Sequence, residues 1–296
     1  MKKKILITGG TGFLGSNLIN IISKKKSYLL FVLRRKNSNI YKIKNKNKIE
    51  FINLEKSNLE IIFKTNKFDL IIHCATNYGA KKKGQKKITY TNLTLPVNLL
   101  KLAKKYQVKF FINIDTVLNK SISAYSLSKN KFFKKLKKFS NYLYCCNIKL
   151  EHFYGPGDST KKFISNIICR LLKSKKKIDF TKGDQKRDFI YIDDVVNALK
   201  KIIIYILHKR NAGPKLEHFY VGSGKKIKIK SIVFLIAKIL NNKTTKLFFG
   251  KIPSRKNEVV SNKVSLYKTK RLGWKNSTKL NIGLKKTINY YKKFIK

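Results

Sequence analysis

The chain has 296 residues, of which 69 are Lys or Arg and 14 are Asp or Glu, a formal net charge of +55. Hydrophobic residues make up 43% of it, which excludes a disordered basic arm and leaves enough apolar surface for one large α/β domain or two smaller ones. Only seven of the basic residues are Arg, and the Lys are dispersed along the whole chain. That pattern reads as solvated faces with salt-sensitive stickiness to polyanions, so no specific nucleic acid and no membrane partner is expected.

The first half alternates short β-rich runs with helical periodicity, as βαβ units do. Strands are predicted at 4–8, 28–33, 48–52, 69–74, 109–114 and 142–148. Helices are predicted at 16–23, 92–106 and 125–139, with Pro96 near a first turn where proline is tolerated. The later chain reads as longer helices at 193–208, 231–240 and 280–295. The expected fold is therefore α/β, a Rossmann-like doubly wound parallel sheet with a smaller, mostly helical substrate-binding lobe over its carboxyl edge. The expected boundaries are 1–151 joined by 188–222 for the dinucleotide-binding domain, and 152–187 with 223–296 for the lobe.

Cys74, Cys145, Cys146 and Cys169 form no C-x-x-C pair and have no His at metal-ligand spacing. Neither a metal site nor a disulfide framework is expected, and four buried thiols fit a reducing cytosol. Gly9 and Gly10 interrupt the first apolar run too early for a signal peptide, and residues 232–240 are too few to cross a bilayer. A cytoplasmic protein is expected.

Residues Ile5-Leu6-Ile7-Thr8-Gly9-Gly10-Thr11-Gly12-Phe13-Leu14-Gly15 read as a strand, a tight glycine turn and a helix start. Glycines there let the backbone approach a pyrophosphate, whose charge is held by amides at the helix N-terminus. At the end of the second strand, Arg34 and Arg35 stand where an acidic residue would hold a ribose hydroxyl. Two guanidiniums favour a 2′-phosphate, so NADP(H) is expected over NAD(H).

Tyr125 and Lys129 are one helical turn apart on the same face, and Asp115-Thr116 precedes them at the end of the fifth strand. A nearby ammonium is expected to lower the phenol's pKa toward neutrality, so that it exchanges a proton with a carbinol or carbonyl oxygen.

With these motifs the chain resembles the extended short-chain dehydrogenase/reductase family, the NAD(P)-dependent epimerase/dehydratase group acting on nucleotide sugars. The resemblance rests on the glycine turn, His73-Cys74-Ala75-Thr76, Tyr125/Lys129 and Tyr154-Gly155-Pro156-Gly157. It continues through the run from Gly183 to Val195, Arg255…Glu258 and Leu272-Gly273-Trp274. Its phrases resemble most the CDP-abequose synthase branch, through Asn77-Tyr78-Gly79, Asn113-Ile114-Asp115-Thr116 and Leu150-Glu151-His152-Phe153.

The resemblance implies that Tyr125 is the catalytic acid/base, Lys129 its electrostatic partner and a ribose ligand, and Thr116 a hydroxyl on the same substrate oxygen. It places Gly9, Gly12, Phe13, Leu14, Gly15, Arg34, Arg35, Asn53, Leu54, Cys74 and Ala75 at the cofactor. Thr76, His152, Arg187, Arg255 and Glu258 fall at the nucleotide-diphosphate sugar, the two Arg gripping its diphosphate. It also implies a homodimer through the helices at 92–106 and 125–139. Asp188, Asp193 and Asp194 read as structural. Val117 and Leu118 follow Thr116 where the family's dehydratases carry Asp-Glu, and neither can move a proton, so dehydration is not expected. The expected activity is NADPH-dependent 4-ketoreduction of a CDP-linked deoxyhexose. A 4-epimerase is the alternative, and a non-catalytic dinucleotide- or RNA-binding protein a remote one.

Overall fold

The computed structural model describes residues 2–79, 85–118, 123–173, 176–209, 212–253 and 264–295. Strands β1 (Lys3–Thr8), β2 (Tyr28–Arg34), β3 (Ile49–Asn53), β4 (Leu70–His73), β5 (Phe110–Thr116) and β6 (Tyr144–Leu150) form the first part of the chain. Helices α1 (Phe13–Ile22), α2 (Leu59–Asn66), α3 (Gln85–Thr89), α4 (Leu95–Lys105) and α5 (Ala124–Phe139) alternate with them. Next come β7 (His152–Tyr154), α6 (Phe163–Leu172), β8 (Lys177–Phe180), β9 (Lys186–Tyr191), α7 (Ile192–Leu207) and β10 (Lys215–Val221). The last elements are β11 (Lys226–Lys228), α8 (Ile229–Leu240), β12 (Lys246–Phe249), α9 (Tyr267–Arg271) and α10 (Leu280–Lys292).

Two compact units result. The first comprises Met1–Leu150, Val196–Tyr220 and Lys268–Trp274; the second comprises Glu151–Val195, Val221–Tyr267 and Lys275–Lys296. The first unit is built on a seven-stranded sheet of order β10-β6-β5-β4-β1-β2-β3. The pairings of β1 with β2 and β4, of β2 with β3, of β4 with β5 and of β5 with β6 are all parallel. Parallel strands covered on both faces must be apolar throughout, and Ile5, Leu6, Ile7, Leu70, Ile71 and Phe111 are all fully buried. One core cluster joins Leu6, Phe31, Phe63, Phe68, Ile71, Leu99, Leu100, Phe111, Phe132 and Leu136. Each such side chain taken from water contributes about 1.5–3 kcal/mol.

The six strands predicted from sequence fall within two residues of the observed ones at their starts. The helix expected at 92–106 begins earlier: α3, a wide π-turn at Tyr90–Thr94 and α4 follow one another without a break. α2 went unpredicted because its apolar stripe is thin, Phe63 being its one fully buried side chain. The visible signal was its cap, since Asn58 Oδ1 accepts the Glu60 amide at 2.9 Å. β10 is a seventh strand that the alternation did not single out.

In the second unit β11, β9 and β7 form a three-stranded sheet and β12 pairs with β8. These strands span three to six residues, too few for a readable period. α6, α8 and α10 pack on one another beside them. β9, grouped in part with the dinucleotide-binding domain by the sequence reading, pairs here with β7 and β11. Its carboxylates hold turns: Asp188 accepts the amides of Ser223 at 2.9 Å and Gly224 at 2.7 Å. Asp194, 1% exposed in the first turn of α7, accepts from Ser277 N at 3.2 Å, Ser277 Oγ at 2.7 Å and Thr278 N at 3.0 Å. Asp194→Ala strands those donors and is expected to cost about 2–4 kcal/mol in urea denaturation, with Asp194→Asn losing less.

Candidate active site

The strand order reverses at β1, which lies between β2 and β4. In a doubly wound sheet this is where loops leaving neighbouring carboxyl ends diverge and a ligand can enter. The turn after β1 and the segment after β4 meet there. Thr8 Oγ1 bonds His73 Nδ1 at 2.8 Å and accepts the Ala75 amide at 3.3 Å, and Cys74 N–H donates to Thr8 O at 3.1 Å.

Contact is so close that side chains are excluded. A Cβ on Gly9 (φ +68°) would lie 2.5 Å from Ala75 N, and one on Gly15 2.3 Å from Gly9 O. On Gly12 a Cβ would meet only Gly9 O, at 3.2 Å, so this flank is open. Gly12 is the N-cap of α1 and offers no side-chain cap to the helix amides. An open glycine flank at an uncapped helix start suits a pyrophosphate, so the residues present fit a dinucleotide. Phe13 and Leu14 form the first turn of α1 beside it.

At the end of β2, Arg34 pairs in register with Asn53 of β3. Its Nη1 donates to Lys36 O at 3.1 Å, and its guanidinium lies 5.6 Å from the Phe51 ring centroid. Arg34 therefore braces the turn that follows, while Arg35 is exposed. Asn53 Oδ1, expected at the cofactor, accepts the Glu55 amide at 3.0 Å, and Leu54 N–H donates to Arg34 O at 2.8 Å.

α5 begins on a reciprocal cap: Ser123 Oγ accepts the Ser126 amide at 3.2 Å, and Ser126 Oγ accepts the Ser123 amide at 3.0 Å. The cap sets Tyr125 in the first turn and Lys129 one turn further. Lys129 is 2% exposed and its Nζ donates to Ile114 O of β5 at 2.8 Å. The Tyr125 phenol hydrogen-bonds with Thr116 and Tyr78, and the Tyr78 and Tyr125 rings are 4.7 Å apart. The expected triad of Thr116, Tyr125 and Lys129 is thus brought together, with Cys74 and Ala75 on the same side of the sheet.

The electrostatics differ from expectation. Burial holds the Tyr125 phenol well above its ordinary value, reinforced by Tyr78 and Asp115 and opposed by the Thr116 hydrogen bond. The ammonium of Lys129 does not depress it; burial lowers Lys129's own pKa, against the pull of Asp115 and Cys74. Tyr125 is consequently a neutral acid at physiological pH.

Sequence reasoning passed over Tyr78, Asp115 and Asn92 as site residues. Asp115 Oδ2 accepts from Asn147 at 3.0 Å, and Asn147 accepts from Asn113 at 2.7 Å, a polar chain across β5 and β6. Its signal was a run of Asn and Asp inside otherwise apolar strands. Three cysteines are buried as expected, and Cys74 is largely but not fully buried. Burial raises its thiol to about 12.

The remaining expected residues are divided between the two units. Thr76 is half-buried after β4 in the first unit. In the second unit, the His152 ring faces Phe189, and its Nδ1, 3.7 Å from Glu151 Oε2, is beyond hydrogen-bond range. Arg187 Nη1 donates to Lys186 O at 2.9 Å. Arg255 and Glu258 lie outside the described residues. Among the described residues no group of three or more His, Cys, Asp or Glu could hold a metal, and no helix is long and apolar enough to cross a membrane.

A glycine turn at a sheet reversal, with a tyrosine, a lysine and a hydroxyl at the neighbouring strand end, defines a dinucleotide-binding enzyme fold. Residues 5–222 match the NAD dependent epimerase/dehydratase family, and the chain belongs to that family. It is 33% identical to the CDP-abequose synthase of Salmonella muenchen over 98% of both chains. It is 30% identical to the CDP-abequose synthase of Salmonella typhimurium over 93% of this chain and 94% of that one. Its fold matches the UDP-glucose 4-epimerase of Thermotoga maritima, solved with UDP-glucose, with TM-score 0.82 and 23% identity over 99% and 100% of the chains. The UDP-glucuronic acid 4-epimerase of Bacillus cereus, solved with UDP-glucuronic acid and NAD, gives 0.84 at 22% identity over 98% and 99%. These two likenesses establish the fold.

His73 supplies a pH test of this region. Burial, with Lys129 nearby, pushes its pKa well below 6.5 in the folded state. As pH falls below about 6.5 the unfolded chain takes up a proton that folded His73 refuses, so its share of stability is present above that pH and lost below it. Denaturation midpoints measured from pH 7 to 5 should fall with a slope approaching about 1.4 kcal/mol per unit from this group. His73→Asn should flatten that part of the profile.

Proposed function

We propose that the protein is an NADPH-dependent 4-ketoreductase of a nucleotide-linked deoxysugar, with a CDP-linked substrate favoured. The observation that carries this reading is the placement of the partly buried Tyr125 phenol, hydrogen-bonded with Thr116 at the end of β5 and so able to give a proton to an oxygen bound beside them. A reductase needs an acid at the carbonyl oxygen, whereas a 4-epimerase must first take a proton from a carbinol and needs the phenolate. Val117 and Leu118, following Thr116, supply no acid or base for removing water. The CDP-abequose synthases among the relatives support the choice of a CDP-sugar.

When bound, the reduced nicotinamide dinucleotide supplies the hydride. Tyr125 protonates the oxygen as charge develops on it, and Thr116 hydrogen-bonds the same oxygen. Lys129, held through Ile114 O, adds positive charge in a site shielded from water, where it is worth most. The glycine turn with Phe13 and Leu14 holds the pyrophosphate. Arg35, exposed beyond the Arg34 brace, meets a 2′-phosphate, and Cys74, Ala75, Asn53 and Leu54 line the dinucleotide. Arg187 and Arg255 take the substrate diphosphate, and Thr76, His152 and Glu258 the sugar.

In the assay, a CDP-linked 4-keto-6-deoxyhexose should consume one equivalent of NADPH per product, with NADH a poorer donor. Tyr125→Phe should lower turnover by roughly 10²–10⁴ while still binding NADPH. Product formed with no change in reduced-nicotinamide absorbance would instead establish the epimerase.

A homodimer joined through α4 and α5 also belongs to this reading. Those helices contain no Asp or Glu and expose Lys101, Lys104, Lys131, Lys134 and Lys138, so identical copies repel. Salt screens that repulsion. Sedimentation should therefore show the dimer fraction rising with ionic strength, and a monomer at every salt concentration would remove the dimer from the proposal.

A further inference from the structure

Tyr78 is the one partner of the Tyr125 phenol that the proposed reaction leaves without a task. It is 49% exposed, yet its position is closely built. Asn77 before it is clamped by Asn92: Asn77 N–H donates to Asn92 Oδ1 at 2.8 Å, and Asn92 Nδ2 donates to Asn77 O at 2.9 Å. Gly79 after it donates to Asn77 Oδ1 at 2.9 Å and has φ +74°. That φ strains any L side chain, and a Cβ on Gly79 would also fall 2.5 Å from Ile88 Cδ1, so the turn favours glycine. Asn92 itself is fully buried in the π-turn before α4. The same Asn92 amide donates to Ser128 Oγ at 2.9 Å, and Ser128 Oγ donates to Tyr125 O at 2.6 Å. One buried side chain therefore sets the backbone on both sides of the phenol pair.

We infer that Tyr78 is a further catalytic residue, the solvent-facing phenol that returns a proton to Tyr125 after each turnover. The inference rests on the reductase reading. In the chemical step the Tyr125 O–H bond breaks and the product O–H bond forms, leaving a phenolate on Tyr125. The Tyr78 O–H bond then breaks as the Tyr125 O–H bond re-forms, and the Tyr78 oxygen takes its proton from water or a buffer acid. No redox change accompanies these transfers. Among the described residues, Thr116 and Tyr78 hydrogen-bond the Tyr125 phenol. Thr116 Oγ1 already accepts the Leu118 amide at 3.2 Å, and Lys129, at 2% exposure, is shut off from solvent. Tyr78 joins a bond to the reacting oxygen with open access to water. Burial of Tyr125 makes its phenolate avid for that proton.

Tyr78→Phe keeps the ring and leaves the Asn77–Asn92–Ser128 bonds untouched, so the fold is retained. On the holoenzyme with a CDP-linked 4-ketosugar, kcat should fall roughly ten-fold with KM and NADPH affinity unchanged. The solvent deuterium isotope effect should rise, and imidazole in the buffer should restore much of the rate. Tyr78→His, which carries an exchangeable proton, should recover activity that a purely structural loss would not. Without substrate, the ¹³C-tyrosine NMR signal of Tyr125 should titrate at lower pH in Tyr78→Phe, because a neighbour that raises it is gone. Wild-type turnover with an unaltered Tyr78→Phe rate, isotope effect and Tyr125 titration would sink the relay alone. Absence of NADPH consumption by the wild type would sink the reductase reading and the relay with it.

Discussion

No side chain fits where the turn after β1 crosses the end of β4, and the first unit is organised around that exclusion. Glycine at positions 9 and 15 lets the backbone of Gly9 lie against Ala75 and against the start of α1. Any larger residue would push β1 and β4 apart or lift α1 off the sheet. With the approach intact, the carboxyl ends of β1, β4 and β5 open side by side at the reversal of strand order. The uncapped start of α1, the Cys74–Gly79 segment and Thr116 then lie in one crevice, without any of them being near another in sequence.

Inside that crevice the charge balance is unlike that of the molecule. The surface carries the great excess of Lys, but the site depends on a few groups withdrawn from water. Lys129 stays where it is because the Ile114 carbonyl and the Asp115 carboxylate offset part of the cost of burying an ammonium. Asp115 is steadied by the Asn147–Asn113 pair. Several of the scarce carboxylates accept backbone or phenol protons: Asp188 and Asp194 hold turns, and Glu217 accepts from Tyr144 and Tyr205.

Desolvation sets the protonation of the candidate phenol. A phenol beside an ammonium could become a ready base, yet burial and the neighbouring Tyr78 and Asp115 outweigh that influence and keep Tyr125 protonated. An acid so placed suits the capture of a developing alkoxide. The hydrogen bond from Thr116 works the other way and stabilises the phenolate that protonation leaves. The balance between these two influences sets how easily Tyr125 gives up its proton and how strongly it takes one back.

Much of this was written locally and could be read locally. The apolar runs of β1 to β6 are strands covered on both faces, and they are visible as continuous apolar stretches of four to seven residues. The Gly9–Gly15 spacing and the Tyr125–Lys129 interval are short-range patterns, readable because a turn and one helical repeat bring their residues together without help. β7, β11 and α2 were not legible, being too short or too polar for a period to emerge. The roles of Arg34 and Tyr78, and the sign of the Tyr125 shift, depend on neighbours distant in the chain. Arg34 turns out to brace Lys36 and lie on Phe51; Tyr78 reaches Tyr125 only because Asn92 ties residue 77 to α5. Sequence alone determined the class of fold and singled out the candidate groups of the site. The tertiary structure decided their protonation and their pairing, since burial and distance are properties of the packed chain and not of any segment of it.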